Sequence, residues 1–298
     1  MASPYSLLFG LSLLLLGAGA AVSRRLQVRE ATTFWQLANL FMHGNPVKAL
    51  RFLIQFNWAG DELAMMHATE RLGEAHNLLT SQELIAALGD PAFNVRYEAI
   101  HAIARLPAEP ELTRALLEVM ATGETELSIA AARALGKMGD PAAVPALRQT
   151  LATASSRMLA ANSGRALGLL GDVESIPALL ERLEQETNPH LQGAYASALG
   201  RLQATAALEP IWRVLDSTAE PTLRAELALA LARMVGDERY FLQQWRQGRR
   251  DVGQLRPLLA EIATGEDVRA AIARGCLARL GEEPTAELIA LSRQVVRG

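Results

Sequence analysis

The chain has 298 residues, of which half are apolar but only 5% are aromatic. Alanine and leucine make up the difference, and because both favour helices over strands we expect an all-α protein. A single cysteine, Cys276, excludes an intrachain disulfide. The overall net charge of −3 says little, but the acidic balance of residues 58–298 argues against a general nucleic-acid binder.

The first predicted element is an uncharged run of 18 residues from Tyr5 to Val22. As a helix it would span roughly 27 Å, close to the thickness of the hydrocarbon core of a bilayer. No basic residue precedes the run, whereas Arg24 and Arg25 follow it. This order favours a retained transmembrane helix, with the N-terminus outside and the body of the protein in the cytoplasm. The alternatives are a cleavable signal peptide, with a cleavage site at residues 18–20, and a helix buried in a larger assembly.

Positive charge is concentrated just after this run. Residues 23–57 carry five basic side chains and one acidic one, whereas residues 58–298 have a net charge of −7. A basic segment beside an apolar helix suits an anionic membrane surface. We therefore expect residues 1–25 to form a membrane anchor and residues 26–60 to form short helices beside the membrane. The residues expected to contact the membrane are Arg24, Arg25, Arg29, Trp35, Lys48 and Arg51.

Two amphipathic helices are predicted between residues 30 and 56, each with apolar side chains at positions i, i+3, i+4 and i+7. Their apolar faces could lie in the headgroup region of a membrane, or they could cover the first unit of the body as an end cap. The sequence leaves both interpretations open. The two apolar sets are Phe34, Leu37, Ala38 and Phe41, and Ala49, Phe52, Leu53 and Phe56.

An internal repeat with a period of 32 residues occupies the rest of the chain. It is marked by the triplet Ala-Leu-Gly at 134–136, 166–168 and 198–200, with related triplets one period before and after. A fixed period in this range, combined with helical patterning, predicts an α-solenoid of helical hairpins over residues 61–298. We count six repeats and a terminal unit, which begin near Glu62, Asn94, Glu124, Ser155, Asn188, Thr222 and Glu266.

Each repeat has the same predicted order of elements. A first helix ends near the triplet, and a glycine at 139, 171 or 236 can close it in the left-handed conformation. A second helix follows with proline in its opening turn, where the missing N–H has no intrahelical partner to lose. The opening-turn prolines are Pro145, Pro177, Pro210 and Pro257.

The units LSIAAARALGKMGDPAAVPALRQTL and MLAANSGRALGLLGDVESIPALLERL resemble HEAT repeats of the phycobilisome-lyase-like type. The resemblance covers about residues 60–298 and implies an architecture, not a function. Residues 44–104 also resemble the stretch that joins the last membrane helix of some bacterial major-facilitator-type transporters to a cytoplasmic HEAT-repeat tail. That second resemblance implies a stand-alone version, or a fragment, of such a tail.

The period breaks between Gly236 and Gly253, where Leu231 and its counterpart Leu277 lie 46 residues apart. The extra stretch, residues 237–253, is richer in aromatic and basic residues than the rest of the chain. It is either a lengthened second helix with its loop or an insertion on the binding face of the solenoid.

No catalytic or metal-binding pattern is present in the sequence. The pattern most similar to a metal site is a weak cluster of histidine and glutamate, for which a surface helix is the simpler interpretation. The cluster consists of His67, Glu70, Glu74 and His76. Cys276 lies on an alanine-rich helix and is expected to be a buried thiol. We therefore expect no catalytic residue, no metal and no cofactor, and a protein that is not an enzyme.

Surface side chains on the second helices are the remaining candidates for a site. We expect these helices to line the concave side, and arginine and tryptophan are the residue types that dominate interface energies. Each could instead be ordinary helix surface, and Trp212 could turn into the core. The candidate partner-binding residues are Arg114, Arg148, Arg182, Trp212, Arg213, Trp245 and Arg246.

The leading hypothesis is a membrane-anchored scaffold that binds a protein at the cytoplasmic face of the membrane, with no nucleic acid or metal. The first alternative, implied by the family resemblance, is a protein that binds or attaches a bilin chromophore. In it, Arg213, Trp212, Tyr195 and His190 would hold the bilin. The second alternative is a regulatory tail that acts in trans on a membrane transporter.

Overall fold

The computed structural model describes residues 46–75, 80–122, 124–236, 238–247, 254–281 and 284–297, all within one compact unit, Gly44–Gly298. Each regular element in these ranges is helical. The helices are α1 (Pro46–Asn57), α2 (Glu62–Glu74), α3 (Ser81–Ala87), α4 (Phe93–Ile103), α5 (Pro110–Ala121), α6 (Thr125–Met138), α7 (Val144–Thr153), α8 (Arg157–Leu170), α9 (Ile176–Gln185), α10 (Pro189–Arg201), α11 (Leu208–Ser217), α12 (Pro221–Val235), α13 (Glu238–Gln247), α14 (Leu255–Ile262), α15 (Val268–Arg279) and α16 (Ala286–Arg297).

The expected membrane anchor at residues 5–22 lies outside the described residues, as do Arg24, Arg25, Arg29 and Trp35. In the part of the chain that is described, no helix combines the length and the hydrophobicity needed to cross a bilayer. The anchor therefore stays a prediction from the sequence.

The predicted hairpin repeat is confirmed. The first helices α2, α4, α6, α8, α10 and α12 begin within two residues of the six predicted repeat starts. In three consecutive repeats a single 3₁₀ turn leads directly into the second helix, at Pro141–Ala143, Val173–Ser175 and Thr205–Ala207. The sequence period thus corresponds to one helical hairpin.

The turn after the first helix uses a left-handed residue in three successive repeats, at Gly139 (φ 78°), Gly171 (φ 74°) and Gln203 (φ 53°). At Gly236 the left-handed expectation is wrong, because φ is 167° and the backbone is extended. The physical reason is a change of connection. The helix α13 starts at Glu238, two residues after Gly236, which leaves no room for the three-residue 3₁₀ turn of the preceding repeats.

The first helices of successive repeats stack directly on one another through small residues. A Cβ atom on Gly136 would lie 2.6 Å from the Cα of Ala166, and one on Gly168 would lie 2.6 Å from the Cα of Ala198. The same close approach recurs at Gly200. Because neither partner has a bulky side chain, the helix backbones can come close together.

The second helices are spaced more widely, and each packs mainly against the first helix of the next repeat. They insert leucines into the core, as with the fully buried Leu147 and Leu179. The first helices are therefore the more closely packed layer of the array. The expectation that the second helices line the concave side stays a prediction.

Helix α1 covers the N-terminal end of the array. Its side chains Phe52, Leu53 and Phe56 pack against the main core, as the end-cap interpretation requires. The other predicted amphipathic helix lies outside the described residues. The outer side of α1 is also apolar, since Leu50 and Ile54 are 60% and 53% exposed.

The C-terminal helices depart from the regular succession. The helix α15 begins near the predicted start of the terminal unit, but α12 packs more extensively against α16 than against α15. An ion pair of 2.6 Å between Arg224 and the buried Glu287 fixes α16 beside α12. Helix α13 packs on both through the fully buried Phe241, so residues 238–247 form a structural helix, while 248–253 lie outside the described residues.

Candidate partner-binding surface

Two of the predicted partner-binding arginines instead join neighbouring repeats. The guanidinium of Arg148 pairs with Asp172 and Glu174 in the turn of the next repeat, with an N–O distance of 2.6 Å to Glu174. This contact, more than any other, holds the pKa of Asp172 below its ordinary value. Arg182 donates to the carbonyl oxygen of Leu151 at 2.8 Å. Both side chains are occupied by contacts within the array.

Trp212 is only 3% exposed, so it lies in the core and cannot reach a partner. Tyr195 is 1% exposed, and His190 forms a 3.2 Å pair with Glu220. The residues suggested for a bilin are therefore not assembled into a site. Of the predicted residues on the second helices and α13, those left on the surface are Arg114, Arg213, Trp245 and Arg246.

The predicted membrane-contacting residues Lys48 and Arg51 lie on α1, and both are exposed. Trp58, just after α1, is 85% exposed and lies one turn beyond Ile54. Basic and apolar side chains therefore occur together on the surface of this end of the array.

A groove with a volume of about 330 Å³ runs across the first helices α4, α6 and α8. Its floor is apolar and consists of small side chains together with Ile100 and Leu169, while its rim carries nitrogen-bearing side chains. The floor residues are Ile100, Ala104, Ala130, Ala134, Ala166 and Leu169; the rim residues are His101, Arg133, Lys137, Asn162 and Arg165.

A second hollow of about 360 Å³ adjoins the first at Leu169 and continues over α10 and α12, where Arg201 and Arg233 line it. We call the two together the first-helix groove. Its basic side chains, with the nearby Arg105 at the end of α4, form what we call the basic row. The basic row consists of Arg105, Arg133, Lys137, Arg165, Arg201 and Arg233.

Some members of the basic row already have a partner and others do not. Arg165 pairs with Glu226, and Arg233 pairs with Glu238 at 2.5 Å. By contrast, no hydrogen bond or ion pair joins Arg133, Lys137 or Arg201 to another residue of the described ranges. These three side chains are exposed and able to bind an anionic group.

The positive charges of the row influence one another. Burial lowers the pKa of Arg201, the nearby guanidinium groups of Arg233 and Arg165 lower it further, and the Glu238 carboxylate opposes the effect. Burial also lowers the pKa of His101, where Glu98 opposes the effect and Arg133, Arg105 and Lys137 reinforce it. Burial is the main cause of both shifts, and the neighbouring cations add a smaller contribution in the same direction.

The basic row was not predicted from the sequence, because the candidate residues were expected on the second helices. The signal was nevertheless present, since Arg133, Arg165, Lys137 and Arg201 directly flank the Ala-Leu-Gly triplets that defined the repeat. Basic residues next to a repeating core element lie on the same side of successive helices, because the repeat carries each one to an equivalent position.

Metal and thiol chemistry have little support in the described residues. Within them, no group of three or more potential ligands could hold a metal ion. His67 approaches Glu70 at 3.8 Å on the surface of α2, whereas His76 is not described. Cys276 is fully buried, and burial raises the pKa of its thiol to about 12.

No curated protein sequence matches this chain significantly. Among solved structures, a chain in the complex of CpcE and CpcF of phycocyanin lyase from Nostoc sp. PCC7120 has a similar fold, with a TM-score of 0.53. The two share 19% sequence identity, and the match covers 78% of this chain and 94% of that chain. At this identity the likeness concerns the fold alone.

The family comparison is more direct. The model for HEAT repeats matches residues 81–163 and again residues 149–232, which together make up about half of the chain. The matched region contains α3 to α11 and most of α12, the part of the structure where the hairpins succeed one another regularly. This chain therefore belongs to the HEAT-repeat family.

Proposed function

We propose that this protein is a membrane-tethered scaffold that binds a protein partner along the first-helix groove, on the cytoplasmic side of the membrane. The observation that carries the proposal is the groove itself, which combines an apolar floor with the unpaired cations Arg133, Lys137 and Arg201. Exposed cations beside an apolar surface are suited to binding a protein and are not needed to hold the fold together.

The architecture supports this role. A solenoid has a long surface built from repeated units, and such surfaces are used mainly for binding. The chain of similar fold comes from a complex of two proteins, CpcE and CpcF, so this fold can serve in a protein assembly. The transporter-tail resemblance suggests that the partner of our protein is itself in the membrane.

The tether rests on the apolar run at residues 5–22 and on the basic residues that follow it. The surface of α1 adds support, because Leu50 and Ile54 lie on its exposed side near Arg51. Basic and apolar side chains on one exposed helix surface suit the interface of an anionic membrane.

The test is crosslinking in cells with a photoreactive group at Leu169, which is 48% exposed and lines both hollows of the groove. We expect a defined protein adduct in the membrane fraction, lost in the variant Arg133→Glu with Lys137→Glu. The matched control is Arg114→Glu with Arg213→Glu, which makes the same change of charge on the second-helix layer. If only the control variant loses the adduct, the partner binds the second helices and the proposal is wrong.

A second candidate function is the binding of an anionic chromophore such as a bilin in the same groove. Two observations favour it: the likeness in fold to the phycocyanin lyase complex, and a volume of about 330 Å³, which lies within the range of small-molecule sites. Titration of the purified protein with bilin tests it. A change in the absorbance spectrum that Lys137→Glu abolishes would favour this candidate, and an unchanged spectrum would exclude it.

A further inference from the structure

The basic row follows the 32-residue period of the repeats, so its members are held at the spacing of the first helices. Lys137, Arg201 and Arg233 occupy equivalent positions on α6, α10 and α12. On α8 that position is Leu169, and Arg165, one helical turn earlier, supplies the positive charge. A ligand lying along the groove therefore meets at least one cationic side chain at each successive helix, and those on α8 and α12 already pair with carboxylates.

This spacing has a counterpart in peptide geometry. Packed helices lie about 8–10 Å apart, and the glycine contacts of the first helices favour the shorter part of that range. A peptide in the polyproline II conformation has three residues per turn and rises about 3.1 Å per residue. Every third side chain of such a peptide therefore points to the same side at intervals of about 9 Å, close to the spacing of the row.

The groove also discriminates between classes of polyanion. No phenylalanine, tyrosine or tryptophan lines its described part, whereas grooves that bind single-stranded nucleic acid commonly stack bases on such rings. Its floor consists mostly of alanine, including Ala130 and Ala134, and offers shallow apolar contact. The net charge of −7 over residues 58–298, with the groove included, would repel a long polyanion.

From these observations we infer that the first-helix groove binds an extended acidic segment of a protein, in the polyproline II conformation, with a carboxylate at every third residue. The inference rests on the proposed function and specifies the chemistry of its partner. The carboxylates would pair with Lys137, Arg201 and their neighbours, and the small residues between them would lie on the alanine floor.

The probe is a fluorescent peptide of about fifteen residues that repeats Glu-Pro-Ala and would span roughly 45 Å. Its control has the same composition with all the glutamates at one end. Fluorescence anisotropy with the full chain in detergent measures both affinities. We expect the periodic peptide to bind about tenfold more tightly, and Lys137→Glu with Arg201→Glu to weaken its binding by about tenfold or more. The matched variant Arg114→Glu with Arg213→Glu should leave it within about twofold.

Equal binding of the two peptides would overturn the inferred spacing, and tighter binding of a single-stranded oligonucleotide would overturn the choice of a peptide. These failures can be told apart from failure of the proposed function. If the Arg133→Glu with Lys137→Glu variant loses the cellular adduct while the peptides bind equally, the scaffold role stands and the inferred chemistry of its partner is wrong. Circular dichroism of each variant would show that the fold is intact.

Discussion

The indole ring of Trp212 in α11 lies directly against Gly275 in α15, where a Cβ atom would come within 2.5 Å of the ring. One turn further along α15, the guanidinium of Arg279 lies 4.4 Å from the ring centroid and makes two hydrogen bonds of 2.7 Å to Asp216. The helix α15 therefore contacts the indole through both a glycine and a cation. This contact joins the last regular second helix to the C-terminal helices.

The first prediction follows from this contact. Replacing Gly275 with alanine should lower the free energy of unfolding by about 1–3 kcal/mol, because the added methyl group forces the indole ring to move. Urea denaturation followed by circular dichroism measures the change. Gly281→Ala is the matched control, since a Cβ atom there would meet nothing within 4 Å. Equal stability of the two variants would mean that Trp212 can shift at no cost.

The second prediction concerns Gln203, which has a left-handed backbone with φ 53° where the two preceding repeats have glycine. A side chain in this conformation costs about 1–2 kcal/mol, and glycine recovers part of it while losing some entropy. We therefore expect Gln203→Gly to raise the free energy of unfolding by about 0.5–1 kcal/mol. Gln203→Ala serves as the control and should give no increase. A fall in stability for the glycine variant would show that the Gln203 side chain contributes in another way.

The third prediction concerns pH. Burial lowers the pKa of His101 from 6.5 against the opposing charge of Glu98, and Arg133, Arg105 and Lys137 reinforce the shift. The unfolded chain therefore takes up this proton before the folded protein does. The contribution of His101 to stability is therefore complete above about pH 6.5 and is lost as the pH falls towards the folded pKa.

The melting temperature of His101→Gln should accordingly fall less than that of the parent protein between about pH 7.5 and 5.5. Parallel curves for the two proteins would contradict the assignment. Protonation of His101 also adds a positive charge to the rim of the groove. The affinity for the acidic peptide should therefore rise over the same pH interval in the parent protein and not in the variant.

The fourth prediction concerns Cys276, the single cysteine of the chain. Its burial raises the thiol pKa to about 12, and because the thiolate is the reactive species we expect almost no labelling by a thiol reagent in the folded protein. Labelling should become complete in denaturant. The control is Ala108→Cys, at an exposed position, which should gain one equivalent of fast labelling. Fast labelling of the parent protein would mean that the C-terminal helices open readily.

Local features of this fold could be read from the sequence because each depends on near neighbours along the chain. The period of 32 residues located the first helices to within two residues, and the glycines at 139 and 171 ended two of them as expected. Opening-turn prolines such as Pro145 and Pro177 fell at the start of second helices. Helix caps and amphipathic faces depend on residues a few positions apart, so the local sequence predicts them directly.

The candidate site was harder to predict because exposure depends on distant contacts. Arg148 and Trp212 have the composition of an interface, yet one pairs with the next repeat and the other is covered by a helix more than sixty residues away. Lys137 and Arg201 were not predicted as site residues, since a single basic residue on a helix surface is common. Their significance depends on which layer of helices forms the groove.

By itself, the sequence determined that this protein is a helical repeat array, where each hairpin begins, and that an apolar segment precedes the array. Only the tertiary structure decided that the first helices are the closely spaced layer, that α16 packs beside α12, and which cations are left without a partner. The physical reason is the distance along the chain over which each interaction acts. Helix formation and capping are local, whereas packing and ion pairing join groups such as Arg224 and Glu287, which are close only after the chain has folded.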